Sequence, residues 1–97
     1  PFPEDTGIPK GSYYKIQLAV LSKDPEWNAF GGIYPITYEN VIGKPLKRYF
    51  AGKFNKYESA KVSLEEIRKN GFPEAFIVGW YDGVKMNVSK VAELEVK

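Results

Sequence analysis

The sequence contains no cysteine and no histidine in its 97 residues. It therefore offers no disulfide, no thiolate nucleophile, no histidine base and no usual zinc site, and we expect neither a metal nor a cofactor. No apolar run reaches the length of about 18 residues that a transmembrane helix needs. The formal net charge is only +2, so the composition does not indicate a strongly electrostatic nucleic-acid binder.

The composition indicates one folded domain, because 43% of the residues are hydrophobic and 15% are aromatic. Residues 1–12 are rich in proline and glycine and are predicted to be a linker or an N-terminal arm. The domain is expected over residues 13–88, followed by a short C-terminal helix or a tail over residues 89–97. No secretory signal is visible, and a start at Pro1 is compatible with a piece of a longer protein.

The first half of the chain predicts two strands around a short helix. Alternating apolar residues indicate a strand over residues 13–21, with Val20 on the core side and Gln17 on the opposite face. Residues 22–32 allow one or two helical turns. The strand from Ile33 to Val41 contains Pro35, which confines it to a sheet edge or to its own start.

Residues 48–78 are the best specified part of the chain and predict a strand, a helix and a second strand. Asn55 is predicted to cap the helix, with Glu58 completing a capping box. Asn70, Gly71 and Phe72 predict a Schellman ending. A hairpin is then expected at Asp82-Gly83.

Together these elements predict an α+β fold of the pattern βαββαβ. It has an antiparallel four-stranded sheet, a short first helix, and both helices on one face. The other face of the sheet is expected to carry Gln17, Arg48, Phe50 and Ile77.

Several motifs of the chain resemble the SPOR domain (sporulation-related repeat), a module that binds bacterial peptidoglycan. YKIQLA at residues 14–19 is similar to the family's opening strand. RYFAGKF at residues 48–54 and GFPEAFIV at residues 71–78 are similar to its Gly-x-Phe turn and its helix exit. YENV at residues 38–41 and the Asp82-Gly83 turn are most like versions from Bacteroidetes-type bacteria. The specificity lies in the combination of motifs, which covers about residues 13–86.

The resemblance implies a ferredoxin-like fold that binds glycan strands lacking stem peptides on its sheet face. It implies a glycan-binding role for Gln17, Arg48, Phe50 and Ile77, and a place in the bacterial periplasm or cell envelope. It implies no catalytic residue, and membrane attachment only through a parent protein. We hypothesise that Arg48 pairs with a free lactyl carboxylate of the glycan. Val20 departs from the family, since many relatives have a small polar residue there.

Three other functions remain open from the sequence. KRYFAGKF at residues 47–54 is superficially similar to an RNA-recognition octamer, but only Phe50 occupies a stacking position. A glycan hydrolase needs two carboxylates across a cleft, whereas Glu65 and Glu66 are adjacent on a helix. A protein-interaction module or weak homodimer would use the strand edge from Ile33 to Val41.

Overall fold

One antiparallel sheet with two helices packed on a single face makes up the α+β fold. The computed structural model describes residues 2–7 and 10–95, so the remaining parts of the predicted arm and tail (residues 1, 8, 9, 96 and 97) lie outside the described residues. The elements are β1 Ser12–Leu21, β2 Ile36–Asn40, β3 Lys47–Phe54, α1 Tyr57–Lys69, β4 Phe76–Tyr81, β5 Val84–Met86 and α2 Val88–Leu94. The strand order is β2-β3-β1-β4-β5, with every neighbouring pair antiparallel.

The predicted unit of strand, helix and strand is confirmed as β3, α1 and β4, and β1 lies between its two strands. The apolar stripe of α1 is buried at Ala60, Leu64 and Ile67. The helix ends as predicted: Gly71 has a φ of +110°, and the N–H of Phe72 donates to the carbonyl of Ile67 at 3.3 Å. Local chemistry alone specifies this end of the helix.

The start of α1 differs from the prediction. The cap position is Lys56, which makes no side-chain capping bond, so the prediction of an Asn55 cap is wrong. The N–H of Tyr57 donates instead to Oε2 of Glu95, just beyond α2, at 2.6 Å. The carbonyl of Asn55 accepts a bond from the Ser12 hydroxyl at 2.8 Å. A charged group from the end of the chain thus takes the capping role.

No helix forms between β1 and β2, which corrects the predicted short first helix. This connection is a series of turns, in which Ala29, Gly31 and Ile33 each donate to the carbonyl three residues earlier. Only five residues lie between Pro25 and Gly31, which is too few to repay the cost of helix nucleation. Phe30 is buried in the core, whereas Trp27 is 80% exposed.

The C-terminal segment adds a fifth strand and a second helix. At the hairpin Asp82 and Gly83 both have positive φ, as the prediction requires. Asn87 caps α2 by accepting a bond from the N–H of Ser89 at 2.8 Å. Val91 is fully buried in one cluster with Tyr14 and Ala60. The helix is therefore part of the same core, which extends past residue 88.

The N-terminal arm docks along the outer edge of β2. Phe2 contacts the aromatic core on the helix side, 5.5 Å from Phe30 between ring centroids. The carbonyl of Pro3 accepts a bond from Tyr38 at 3.1 Å, and the N–H of Asp5 donates to the carbonyl of Tyr38 at 2.7 Å. The edge predicted for protein pairing is thus occupied at Tyr38 by the chain's own arm.

Two bulges decide which side chains share a face of the sheet. In β3 one extra residue is accommodated near Gly52, whose φ is +80°. In β1 Gln17 pairs with Phe50 and Ala19 pairs with Tyr49, so Leu18 is the extra residue. The second bulge reverses the alternation that the sequence predicts for the end of β1.

Candidate functional site

Three of the four predicted site residues lie on the outer face, the face of the sheet turned away from α1 and α2. Gln17 is in register with Phe50, and Arg48 lies two residues earlier on β3, on the same face. Ile77 is in register with Ile16 and packs in the core beneath the helices. The prediction that Ile77 joins the outer face is therefore wrong.

The register of β4 places Phe76, Val78 and Trp80 on the outer face instead. Both sets of alternate residues in this strand are apolar, so alternation by itself leaves the choice of face open. Gly79 was the available signal, because a glycine inside a strand often marks a close approach. A Cβ on Gly79 would lie 3.0 Å from a methyl group of Val91.

Phe50 lies on the predicted face, but it has no exposed surface. It packs with Tyr13 and Trp80 in a second small core, with a centroid distance of 5.6 Å between Phe50 and Trp80. The amino group of Lys85 lies above, 5.8 Å from the centre of the Phe50 ring. The Phe50 ring is therefore not accessible for the glycan contact that the resemblance implies, nor for stacking with an RNA base.

A buried ion pair covers the next part of the outer face. The amino group of Lys15 lies 2.7 Å from Oδ1 of Asp5 and 2.5 Å from the hydroxyl of Thr37, and both charged side chains are almost fully buried. The Tyr13 hydroxyl donates to the same carboxylate oxygen at 3.2 Å. Burial, with the nearby Asp5 charge and this hydrogen bond, raises the pKa of Tyr13 well above its usual value. The N-terminal arm thus covers a part of the outer face that the sequence does not predict to be covered.

Glu39, Arg48 and Lys85 form a group of charges that we call the clasp. Oε1 of Glu39 accepts a bond from Nη1 of Arg48 at 3.1 Å and also pairs closely with Nζ of Lys85. Glu39 and Lys85 belong to the two edge strands, which would lie about 19 Å apart in a flat sheet. The sheet must therefore curl so that the outer face is concave.

Solvent reaches one end of the outer face at the exposed corner, formed by Gln17, Val20, Arg48 and Phe76. Gln17 is directly opposite Phe76, and Val20 is directly opposite Arg48. Phe76 is 47% exposed and Val20 is 43% exposed. The bulge at Leu18 turns Val20 outward, so the prediction that Val20 faces the core is wrong. An amide, a guanidinium and two apolar side chains meet here.

A separate groove of about 420 Å³ runs beside α1 on the helix side of the sheet. Its lining includes Ile33, Pro35 and Ala51, with Ser63 and Glu66 of α1 at one wall. The connection that replaces the predicted first helix forms another wall, since Gly32 also lines the groove. The exposed corner and this groove therefore lie on opposite faces of the sheet.

The described residues hold no group of three or more carboxylates placed to bind a metal ion. Within residues 2–7 and 10–95, no helix is long and apolar enough to cross a bilayer. Comparison of the chain with protein-family models, with curated proteins and with solved structures gives no match.

Proposed function

We propose that the chain is a non-catalytic module that binds peptidoglycan glycan strands lacking stem peptides. In this proposal the exposed corner is the binding surface, and the module targets a parent envelope protein to the cell wall or division site. The motifs at residues 14–19, 48–54 and 71–78, which resemble the SPOR domain, are the first support. The order β2-β3-β1-β4 is compatible with the ferredoxin-like arrangement that the resemblance implies, with β5 and α2 as additions.

The observation that carries the proposal is the pairing of an exposed Phe76 with Gln17 on the face turned away from α1 and α2. An exposed aromatic ring offers apolar area to the C–H face of a sugar ring. The amide beside it both donates and accepts, which suits hydroxyl and acetamido groups. Phe76 therefore takes the place that the sequence assigned to Phe50 and Ile77.

The charge of the corner suits an acidic sugar. Glycan strands without stem peptides carry free lactyl carboxylates, and Arg48 has five N–H donors. Within the described residues its side chain bonds only to Glu39, which leaves guanidinium donors for a ligand. Val20 adds an apolar neighbour directly opposite Arg48.

Retention on purified sacculi tests the proposal. The wild-type chain is expected to be retained on amidase-stripped peptidoglycan and much less on intact peptidoglycan. Gln17→Ala and Phe76→Ala should each reduce retention several-fold, since each removes a direct contact. Tyr34→Ala is the matched control, because Tyr34 is 88% exposed but lines the groove on the helix side.

The possible outcomes distinguish an error in the proposed function from an error in the proposed binding surface. Equal and negligible retention on both kinds of sacculi would refute glycan binding. Strong retention that survives both Gln17→Ala and Phe76→Ala would refute the exposed corner as the binding surface. Loss in Tyr34→Ala alone would move the site to the groove beside α1.

A further inference from the structure

The clasp contains more hydrogen-bond donors than its own acceptor can use. A single oxygen of Glu39 accepts from both Arg48 and Lys85. A guanidinium has five N–H donors and an ammonium has three. Within the described residues each cation uses one donor, and neither has a buried polar atom without a partner. The other donors therefore face solvent.

The charges of the clasp are also unbalanced. Two cations share one carboxylate, so the group carries a net charge of +1. The other ion pair on this face, between Lys15 and Asp5, is balanced and buried. The side chains of Glu39, Arg48 and Lys85 are between a quarter and two-fifths exposed, which leaves them accessible to a ligand. The clasp is therefore the part of the outer face that favours an anion.

Lys85 is also held in place by contacts with aromatic rings, which do not depend on Glu39. Its amino group lies 5.4 Å from the centre of the Trp80 ring and 5.8 Å from that of Phe50. A cation is attracted to aromatic faces at such distances. Both rings are buried and fixed in the second small core. Lys85 therefore has a reason to remain over the outer face when its partner carboxylate changes.

We propose that Arg48 and Lys85 form a site for a ligand carboxylate and that Glu39 is its internal competitor. A bound carboxylate takes over donors that Glu39 holds in the free protein, and the sugar ring that bears it lies over Val20 and Phe76. A ligand carboxylate that replaces Glu39 interacts with Arg48 and Lys85 about as strongly as Glu39 does, because partly exposed ion pairs contribute little free energy. The fraction of sites that hold a ligand therefore follows the ligand concentration. The inference rests on the proposed function, and it names acidic sugars as the preferred ligands.

A variant that removes the Glu39 carboxylate should bind the ligand more tightly. Damage to the fold would weaken binding, so it cannot explain such a gain. Glu39→Gln should bind stripped glycan strands roughly two- to fivefold more tightly than wild type, the range of a partly exposed ion pair. The gain should shrink as salt is added, because these charges are accessible to solvent. Neutral chitin oligosaccharides should show no gain. The double variant of Arg48→Met and Lys85→Met should lose the preference for acidic over neutral glycan.

Asp24→Asn is the matched control. It makes the same change in net charge, but its partner is Lys47, which contacts Tyr38 on the helix side of the sheet, the face opposite the clasp. Equal gains in Glu39→Gln and Asp24→Asn would reduce the effect to net charge and overturn the inference. Weaker binding by Glu39→Gln would overturn it too, since Glu39 would then be holding the cations in place for the ligand.

Free N-acetylmuramic acid separates this inference from the proposed function. The NMR signal of the Arg48 side-chain Nε–H is followed as this sugar is added to wild type and to Glu39→Gln. A shift that saturates at lower concentration in Glu39→Gln, and is absent with N-acetylglucosamine, supports the anion site even where glycan strands fail to bind. No shift in either protein overturns it.

Discussion

The carboxylate of Glu95 accepts a hydrogen bond from the backbone N–H of Tyr57 at 2.6 Å, so the end of α2 caps the start of α1. The first turn of a helix has N–H groups without helical partners and carries the positive end of the helix dipole. Glu95 also accepts a bond from the hydroxyl of Tyr14. One carboxylate therefore joins both helices to the central strand.

Glu95→Ala is expected to lower the free energy of unfolding by about 1–3 kcal/mol. The change removes a helix cap and leaves the Tyr14 hydroxyl without its acceptor. Urea denaturation followed by circular dichroism measures the loss. Glu93→Ala is the control, because Glu93 is exposed on the same helix and should change stability little. Equal losses in the two variants would contradict a capping role for Glu95.

The parts of the fold that the sequence predicted well are those with local chemical causes. The helix end at Asn70, Gly71 and Phe72 and the hairpin at Asp82-Gly83 each depend on a few adjacent residues. A glycine at the left-handed position and a proline just beyond it exclude most alternatives. Such signals need no knowledge of the remaining chain.

The errors have long-range or register causes. Glu95 caps a helix that begins 38 residues earlier, and no local signal announces that contact. The bulge at Leu18 reverses the end of β1, which exposes Val20 and turns Leu21 to the core. Periodicity assumes an uninterrupted strand and cannot include a bulge. The sequence therefore predicts the face of Gln17 and Arg48 correctly, but it does not predict that Phe76 shares this face.

Gly52→Ala is expected to be among the most destabilising single methyl additions in the chain. At Gly52 the φ is +80°, and a Cβ there would lie 2.3 Å from the ring of Phe54. The left-handed backbone costs about 1–2 kcal/mol for a residue with a side chain. The forced movement of a packed ring adds a further cost of about 1–3 kcal/mol.

Gly43→Ala separates these two costs. Gly43 has a φ of +77° in the turn between β2 and β3, but a Cβ there meets no atom within 4 Å. We expect this variant to show only the backbone cost in thermal or urea unfolding. A loss in Gly52→Ala no larger than that in Gly43→Ala would contradict the contact with Phe54.

Lys15→Met tests the buried ion pair that the arm forms with β1. The variant leaves Asp5 buried without its cation, and we expect a loss of about 3–5 kcal/mol in the free energy of unfolding. Lys15→Met combined with Asp5→Asn should recover part of the loss, because the uncompensated charge is then gone. Lys47→Met removes a cation from the exposed pair with Asp24 and should have a much smaller effect.

The same series tests whether the arm belongs to the fold. Amide hydrogen exchange at Tyr38 reports the arm, since this N–H donates to Pro3. Exchange at Tyr38 in Lys15→Met should be faster than in wild type, and it should remain faster than exchange of the most protected amides of α1, which reports the global loss of stability. Unchanged exchange at Tyr38 would mean that the backbone bonds alone hold the arm on β2.

Two buried tyrosines predict a loss of stability at high pH. Burial is the main cause that raises the pKa of Tyr13 and of Tyr14, and the carboxylates of Asp5 and Glu95 raise it further. In the unfolded chain these hydroxyls ionise near the usual pKa of about 10. Above that pH the unfolded chain binds fewer protons than the folded one, so stability falls as pH rises. Below that pH both tyrosines are protonated in either state, and their contribution to stability is fully present.

Urea unfolding at pH values between about 8 and 11 measures this fall, and phenolate absorbance shows how many tyrosines ionise before the chain unfolds. Tyr13→Phe should flatten part of the pH dependence, because phenylalanine cannot ionise in either state. Tyr34→Phe is the control and should leave the profile of the wild type, since Tyr34 is exposed. Lysine titration is common to all these proteins and cancels in the comparison. Identical slopes in Tyr13→Phe and wild type would contradict the role of Tyr13.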